Sequence, residues 1–323
     1  MKILNKLLKL ISKRRKYKKF TFNVKRNYSY NILAPVYNYS GFDKNKTINL
    51  HIEHGLSLLD TIAPSDLRQN PNFILAWNTR RKEAIEKANV PSAVFGAPFV
   101  RYRHLAKIEK SPNAIGTIAF PAHSGGNNDI EYMEFDWEKY AQTLKNLPEK
   151  CHPITISLHP NDINKDVGKI FEKEGLKVIS MQNYNLKQDF MQNFYEVLSM
   201  HKYCTSNEIG TSMWYAIEMG LPVFLAGDYP IHHILEDGWD LPKGSHSTNL
   251  FEGIETYEKF KQLIPHHPVE ENGKELKDIL DIELGVNDAI SPKELYDIIW
   301  EYYDPFVDMK KITKKLCKLL KIQ

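Results

Sequence analysis

The chain has 323 residues, of which 42% are hydrophobic and 26% charged, with 16 Gly and 17 Pro. That length suits about two α/β-sized domains, and the composition excludes disordered and collagen-like chains. Three widely spaced cysteines (Cys151, Cys204 and Cys317) without a CxxC pair exclude a disulfide framework and a cysteine zinc site, and fit a reducing cytoplasm. The formal net charge of +3 conceals an uneven distribution: residues 1–26 carry 11 Lys/Arg and no acid, and six lysines follow Asp308. The body between them holds 26 basic against 40 acidic residues, so nucleic acid is disfavoured as a partner.

In chain order, residues 1–27 form a basic N-terminal segment. Ile3, Leu4, Leu7, Leu8 and Ile11 fall near one helical face and Lys13, Arg14, Arg15 and Lys16 follow at once. Lysines interrupt the apolar stretch and no small-residue cleavage site follows, which argues against a signal peptide. The segment is too short to span a bilayer, and the pattern predicts an amphipathic helix on an anionic membrane surface. The tail KKITKKLCKLLKIQ has the same character. Together the ends place the chain in the cytoplasm, peripheral at the inner face of the membrane.

Residues 28–108 are expected to form a smaller α/β domain, with strands in TINLHIEHG, NFILAW and SAVFGAPF and a helix in TRRKEAIEKANV. A polar stretch, residues 107–113, reads as a hinge. Residues 109–295 are expected to form a second, larger α/β domain. There AIGTIAF, HPITISLHP, LKVISM, KYCTSN and LPVFLAG read as strands, and DWEKYAQTLKNL, DVGKIFEKEG, FMQNFYEVLSMH and GTSMWYAIEMG as helices. Strands each followed by a helix predict a parallel sheet with right-handed crossovers. Residues 231–290 give no clear element pattern. Residues 296–323 are expected to hold the C-terminal helices and tail, with SPKELYDIIWEYY helical and returning to the first domain. The expected architecture is therefore α/β, two Rossmann-like domains facing a cleft.

No GxGxxG, Walker A, GxSxG or HExxH occurs, nor any Asp-x-Asp pair. The pairs His232-His233 and His266-His267 read as surface histidines, because neighbours on a helix point apart. Three polar clusters fall at the C-terminal ends of expected strands, where parallel sheets bind ligands. In the first, Glu53 and His54 supply a candidate general base, and Gly55 permits a tight turn and close approach of substrate. In the second, Ser157-Leu158-His159-Pro160, His159 can donate to a phosphate oxygen while Pro160 stiffens the turn. Its partner is the loop Ala122-His123-Ser124-Gly125-Gly126, whose Ser124 and Gly125 can line an anion nest. In the third, Thr205, Ser206, Gly210, Thr211 and Ser212 surround a helix start suited to phosphate, and Glu218 can accept hydrogen bonds from a ribose.

The stretch GTSMWYAIEMGLPVFL resembles the donor-nucleotide segment of glycosyltransferases of GT-B architecture. The order Glu53-His54-Gly55, His159-Pro160, Thr205-Ser206 is similar to bacterial sialyltransferases and related CMP-sugar (sialyl- and Kdo-type) enzymes. The resemblance implies that the first motif supplies the base and that the other two hold the CMP phosphate. It also implies a metal-independent transfer without a cofactor, from a nucleotide-sugar donor to a glycan or lipid-linked acceptor of capsule or lipopolysaccharide synthesis. His54-Gly55 is similar as well to CDP-glycerol glycerophosphotransferases, where the His is the proposed base, so Glu53 and His54 both stay candidates. A CDP-polyol phosphotransferase and a non-catalytic membrane-surface scaffold are the competing readings.

Overall fold

A computed structural model describes residues 32–53, 55–62, 64–67, 71–123, 131–180, 190–235, 244–249 and 251–303. The basic segment 1–27 and the lysine-rich tail lie outside the described residues, and with them both expected membrane contacts. Among the described residues no helix is long and apolar enough to cross a membrane.

The first unit opens with helix α1 (Ala34–Ser40), closed by a left-handed Gly41. It continues through β1 (His51–Ile52), the short α2 (Pro64–Leu67), β2 (Ile74–Ala76), α3 (Thr79–Lys87), β3 (Ser92–Val94) and α4 (Pro98–Ala106). Its strands pair in parallel in the order β1-β2-β3. Asn78 caps α3 by accepting the Arg81 backbone N–H at 2.9 Å. Sequence patterning missed α4, because two arginines and a histidine dilute its apolar face; Pro98 starts it in the first turn, where no N–H is needed.

The second unit contains β4 (Thr117–Ala119), β5 (Glu131–Glu134), α5 (Trp137–Lys145), β6 (Ile154–Ser157), α6 (Pro160–Asn164), α7 (Val167–Lys173) and β7 (Lys177–Ile179). It continues with α8 (Phe190–Ser199), β8 (Tyr203–Ser206), α9 (Thr211–Glu218), β9 (Val223–Leu225), β10 (Ile231–Ile234) and β11 (His246–Ser247). The main sheet is parallel, five strands in the order β7-β6-β4-β8-β9. That is the Rossmann-like order, in which the strand sequence reverses beside the first strand. The inner strands are buried on both faces, as their near-continuous apolar runs anticipate.

β5, β10 and β11 form a separate antiparallel ribbon. His232 and His233 therefore lie on a strand, not a helix; they still point apart, toward Glu208 and Glu134 respectively. Among the described residues no group of three or more His, Cys, Asp or Glu is arranged to hold a metal ion.

The stretch without a clear pattern also supplies α10 (Glu255–Leu263) and α11 (Lys274–Leu284). Leu276, Leu280 and Leu284 of α11 join one core with Trp77 and Val100 of the first unit and Met213 and Ile217 of α9. The chain then returns in α12 (Pro292–Tyr302), started by a Ser291/Glu294 capping box. Leu295 and Ile299 of α12 enter the core of the first unit, and Phe42 meets Tyr296 and Trp300 edge to face. The fold is thus α/β, two parallel Rossmann-like sheets with a C-terminal helix back on the first, as expected.

Glu53 directly follows β1 and is 2% exposed, its carboxylate held by Arg81 Nε and Nη2 at 2.8 and 2.6 Å. Arg81 also donates to the carbonyls of Leu59 and Thr61, and Arg80 to those of Ser57, Leu58 and Leu59. Removing one partner of such a pair strands a buried charge. Arg81→Ala is expected to cost about 3–5 kcal/mol in urea unfolding, and Glu53→Leu placed on top of it to recover part of that loss.

Candidate active site between the two sheets

In an open parallel sheet the chain leaves neighbouring strands in opposite directions at the point where strand order reverses, which opens a crevice at their C-terminal ends. Here that point lies between β4 and β8. A cavity of about 240 Å³ occupies the region between this edge and the first unit. Gly55, Trp77 and Phe99 line it from the first unit; His123, Ser157, His159, Thr211, Ser212 and Tyr215 line it from the second.

The polar end is built by the second sheet. β6 delivers Ser157 and His159 to its C-terminal edge, and Pro160 starts α6 directly behind. His159 is the N-cap of α6, and its Nδ1 accepts the Asn161 backbone N–H at 3.2 Å. That bond assigns the ring proton to Nε2 in the neutral tautomer, making Nε2 a donor. His123, just beyond β4, stacks on this ring with centroids 4.3 Å apart and planes 16° from parallel. Burial, with His123 adding to it, lowers the His159 pKa to about 4, so the ring is neutral at physiological pH.

α9 starts opposite this histidine pair. Gly210 caps it in an extended conformation without any side-chain cap, so the positive end of the helix dipole meets the cavity beside Thr211 and Ser212. Gly55 approaches from the first unit with φ +76°, and a Cβ there would lie 3.7 Å from Thr211 Oγ1. The expected residues Gly55, His159, Thr211 and Ser212 are therefore brought together, with Gly210 and Pro160 fixing the starts of the two helices.

Other expected residues stand elsewhere. Thr205 is fully buried and donates to the Phe224 carbonyl at 2.8 Å; Ser206 donates to the Phe120 carbonyl at 2.6 Å. Both hydroxyls fasten β8 to its neighbours instead of lining the cavity. Glu218 sits at the far end of α9, about 10 Å along a helix of this length from Thr211. Its carboxylate receives Arg103 Nε and His104 Nε2, each at 2.8 Å. Burial pushes this carboxyl up, but those hydrogen bonds outweigh it and hold the group below the usual carboxylate range. It is a tie between α9 and α4, and the ribose contact expected for it finds no support in that placement.

Glu53 is also differently employed. Its Oε2 accepts the Trp77 backbone N–H at 3.2 Å, its carbonyl accepts the Trp77 indole N–H, and Arg81 takes the remaining oxygen. Burial raises its pKa, with Arg81 opposing the rise. This carboxylate is committed to holding the turn, not presented to the cavity. His54, Ser124 and Gly125 lie outside the described residues.

His123 and Ser157 stand inside two of the sequence clusters without being candidates there, and their places just beyond β4 and at the end of β6 are the signal that marks them. The aromatic lining, Trp77, Phe99, Phe120, Phe190, Phe194 and Tyr215, has no such signal, because it comes from segments far apart in the chain.

No protein-family model matches the chain, and no curated protein matches it. Among solved structures, the UDP-GlcNAc 2-epimerase from Neisseria meningitidis bound to UDP-GlcNAc aligns at 13% identity over 73% of this chain and 63% of its own, TM-score 0.35. The pneumococcal O-GlcNAc transferase GtfA, in complex with UDP and GlcNAc, aligns at 10% identity over 80% of this chain and 47% of its own, TM-score 0.29. The wall teichoic acid polymerase TagF aligns at 10% identity over 85% and 68%, TM-score 0.31. The chain spans less than two thirds of the epimerase and about half of GtfA. These are distant likenesses of α/β architecture; the fold assignment above rests on strand order and pairing.

His159 carries a pH signature. Folding holds His159 near 4 against an ordinary value of 6.5, so between those values the folded chain binds fewer protons than the unfolded one. The stability this confers is complete above pH 6.5 and falls as pH drops toward 4. His159→Gln is expected to flatten that fall, read as urea midpoints measured across the interval.

Proposed function

We propose that the chain is a glycosyltransferase-type enzyme of GT-B-like design, taking a sugar from a nucleotide-activated donor, with a CMP-sugar as the leading donor. The observation that supports this most is the stacked His123/His159 pair facing the open N-terminus of α9 across a cavity that Gly55 closes from the other unit. Neutral imidazole N–H, hydroxyl and helix N–H groups converging on one spot form an oxyanion site for a phosphate.

In the reaction proposed, an acceptor hydroxyl loses its proton to a base on the first unit and its oxygen attacks the anomeric carbon. The bond from that carbon to the donor phosphate oxygen breaks, and the electron pair departs on the nucleotide. His159 Nε2–H and the N–H groups at the start of α9 meet the charge that develops there. With Glu53 tied to Arg81, the base role falls to His54, next in sequence to the cavity-lining Gly55.

That same commitment of Glu53 favours a second reading. A His-Gly base motif suits a CDP-polyol phosphotransferase, in which the acceptor oxygen attacks the phosphorus bearing the polyol and CMP leaves from the diphosphate. Both release CMP, and the acceptor separates the two: sugar transfer leaves a new glycosidic bond on it, phosphotransfer a new phosphodiester.

The first test is thermal stabilisation by CMP, CDP, UMP, UDP and GDP, with and without magnesium. A nucleotide at ~100 times its Kd stabilises the folded state by about 2.7 kcal/mol. Selective stabilisation by CMP is expected, and weakened in His159→Gln. Preference for UDP or GDP would discard the CMP-sugar donor while keeping the enzyme class. Silence toward all five would overturn the transferase reading in favour of the scaffold. Once a donor is found, His54→Ala is expected to lower turnover by at least a hundredfold with folding intact. Full turnover in that variant would remove His54 from the mechanism.

A further inference from the structure

The cavity is chemically divided. The described lining groups able to hydrogen-bond a ligand through a side chain, His123, Ser157, His159, Thr211, Ser212 and the Tyr215 hydroxyl, all belong to the second unit, while the Trp77 indole N–H is taken by the Glu53 carbonyl. The rest of the wall is aromatic. Phe99 stacks on Tyr215 with centroids 4.9 Å apart and planes 5° from parallel, and Phe190 meets Phe99 edge-on at 5.9 Å. Phe99, Phe120 and Phe190 are only half-buried, so three large apolar rings turn part of their surface to one cavity. Among the described lining residues none carries a carboxylate, an amide, a guanidinium or an ammonium group. Sites that read sugar hydroxyls or the edges of a nucleobase intersperse such groups with their rings, because each buried hydroxyl or amide left unpaired costs free energy. An aliphatic chain makes no such demand, and gains from every methylene it buries.

Position adds a second argument. Ile32 lines this cavity, and it stands six positions beyond the stretch of sequence in which residues 1–26 carry 11 Lys/Arg beside an apolar periodicity. One residue of the apolar lining is thus close in sequence to the part of the chain whose composition suits an anionic lipid surface.

We infer that the aromatic end of the cavity receives an aliphatic chain borne by the acceptor, making the acceptor a lipid-linked amphiphile whose hydroxyl lies toward Gly55. The word acceptor rests on the transferase reading; the chain-binding wall does not.

The test titrates the full-length protein calorimetrically with n-alkyl β-D-glucosides from methyl to octyl, below their micelle-forming concentrations, beside a CMP titration. Affinity is expected to rise about two- to fourfold per added methylene until the cavity is filled. Phe190→Ser, which takes away one half-buried ring, is expected to flatten that series, and Phe190→Trp to cut it off at a shorter chain. Thermal melts establish that both variants are folded. A wild-type series with no chain-length dependence would overturn the inference. So would a series unchanged in both variants, since the chain would then bind elsewhere. CMP binding without chain-length dependence counts against this inference alone. Chain-length dependence without nucleotide binding upholds the wall and counts against the transferase reading alone.

Discussion

A carboxylate taken fully out of water at the end of a strand is costly unless something of opposite charge meets it with good geometry, and Glu53 meets Arg81 in that way. The pair does more than cancel two charges. Arg81 spends its remaining donors on the carbonyls of Leu59 and Thr61, and neighbouring Arg80 spends its own on Ser57, Leu58 and Leu59. Carbonyls that would otherwise need water are thereby satisfied in a stretch with no regular structure. The turn at Gly55, its approach to Thr211 and the seat of the Trp77 indole all descend from this arrangement.

The same economy of charge marks the cavity. Its described lining relies on the neutral ring of His159, hydroxyls and the end of a helix, all of which act as donors without carrying a formal charge. Such donors oriented by the fold stabilise a developing anion while leaving the resting cavity compatible with apolar walls. An Arg or Lys in the same place would favour any phosphate-bearing solute; aligned neutral dipoles discriminate more by geometry than by net attraction.

The parallel sheet of the second unit was legible because buried parallel strands read as short apolar runs and the stretches between them carry helical periodicity. The strand-end clusters were legible for the same reason, and His159, Thr211, Ser212 and Gly55 do meet. What could not be read was how each polar group is spent. Thr205 and Ser206 look like phosphate ligands in a one-dimensional pattern, yet a hydroxyl that donates to a neighbouring strand is identical in sequence to one that faces a ligand. The partner of Glu53 lies 28 residues away and that of Glu218 lies 115 away, separations over which no periodicity speaks. The antiparallel ribbon escaped notice because its three strands are scattered between residues 131 and 247 and carry no alternating apolar face.

Helix α11 has a double allegiance. Its leucines pack with α9, while its last turn is fastened to the first unit: Asn78 and Arg80 bind Glu283, and the Ala97 N–H reaches the Leu284 carbonyl at 2.8 Å. Immediately beyond, Gly285 lies so close to the Trp77 carbonyl that no side chain fits there, and Gly96 is crowded, less severely, by the Val286 backbone. α11 is in effect a connecting rod, and the helix that faces the cavity from one side is geared through it to the tryptophan that faces the cavity from the other. Any shift of α9 against the first unit must therefore either carry α11 with it or break the contacts at Asn78, Arg80 and Ala97.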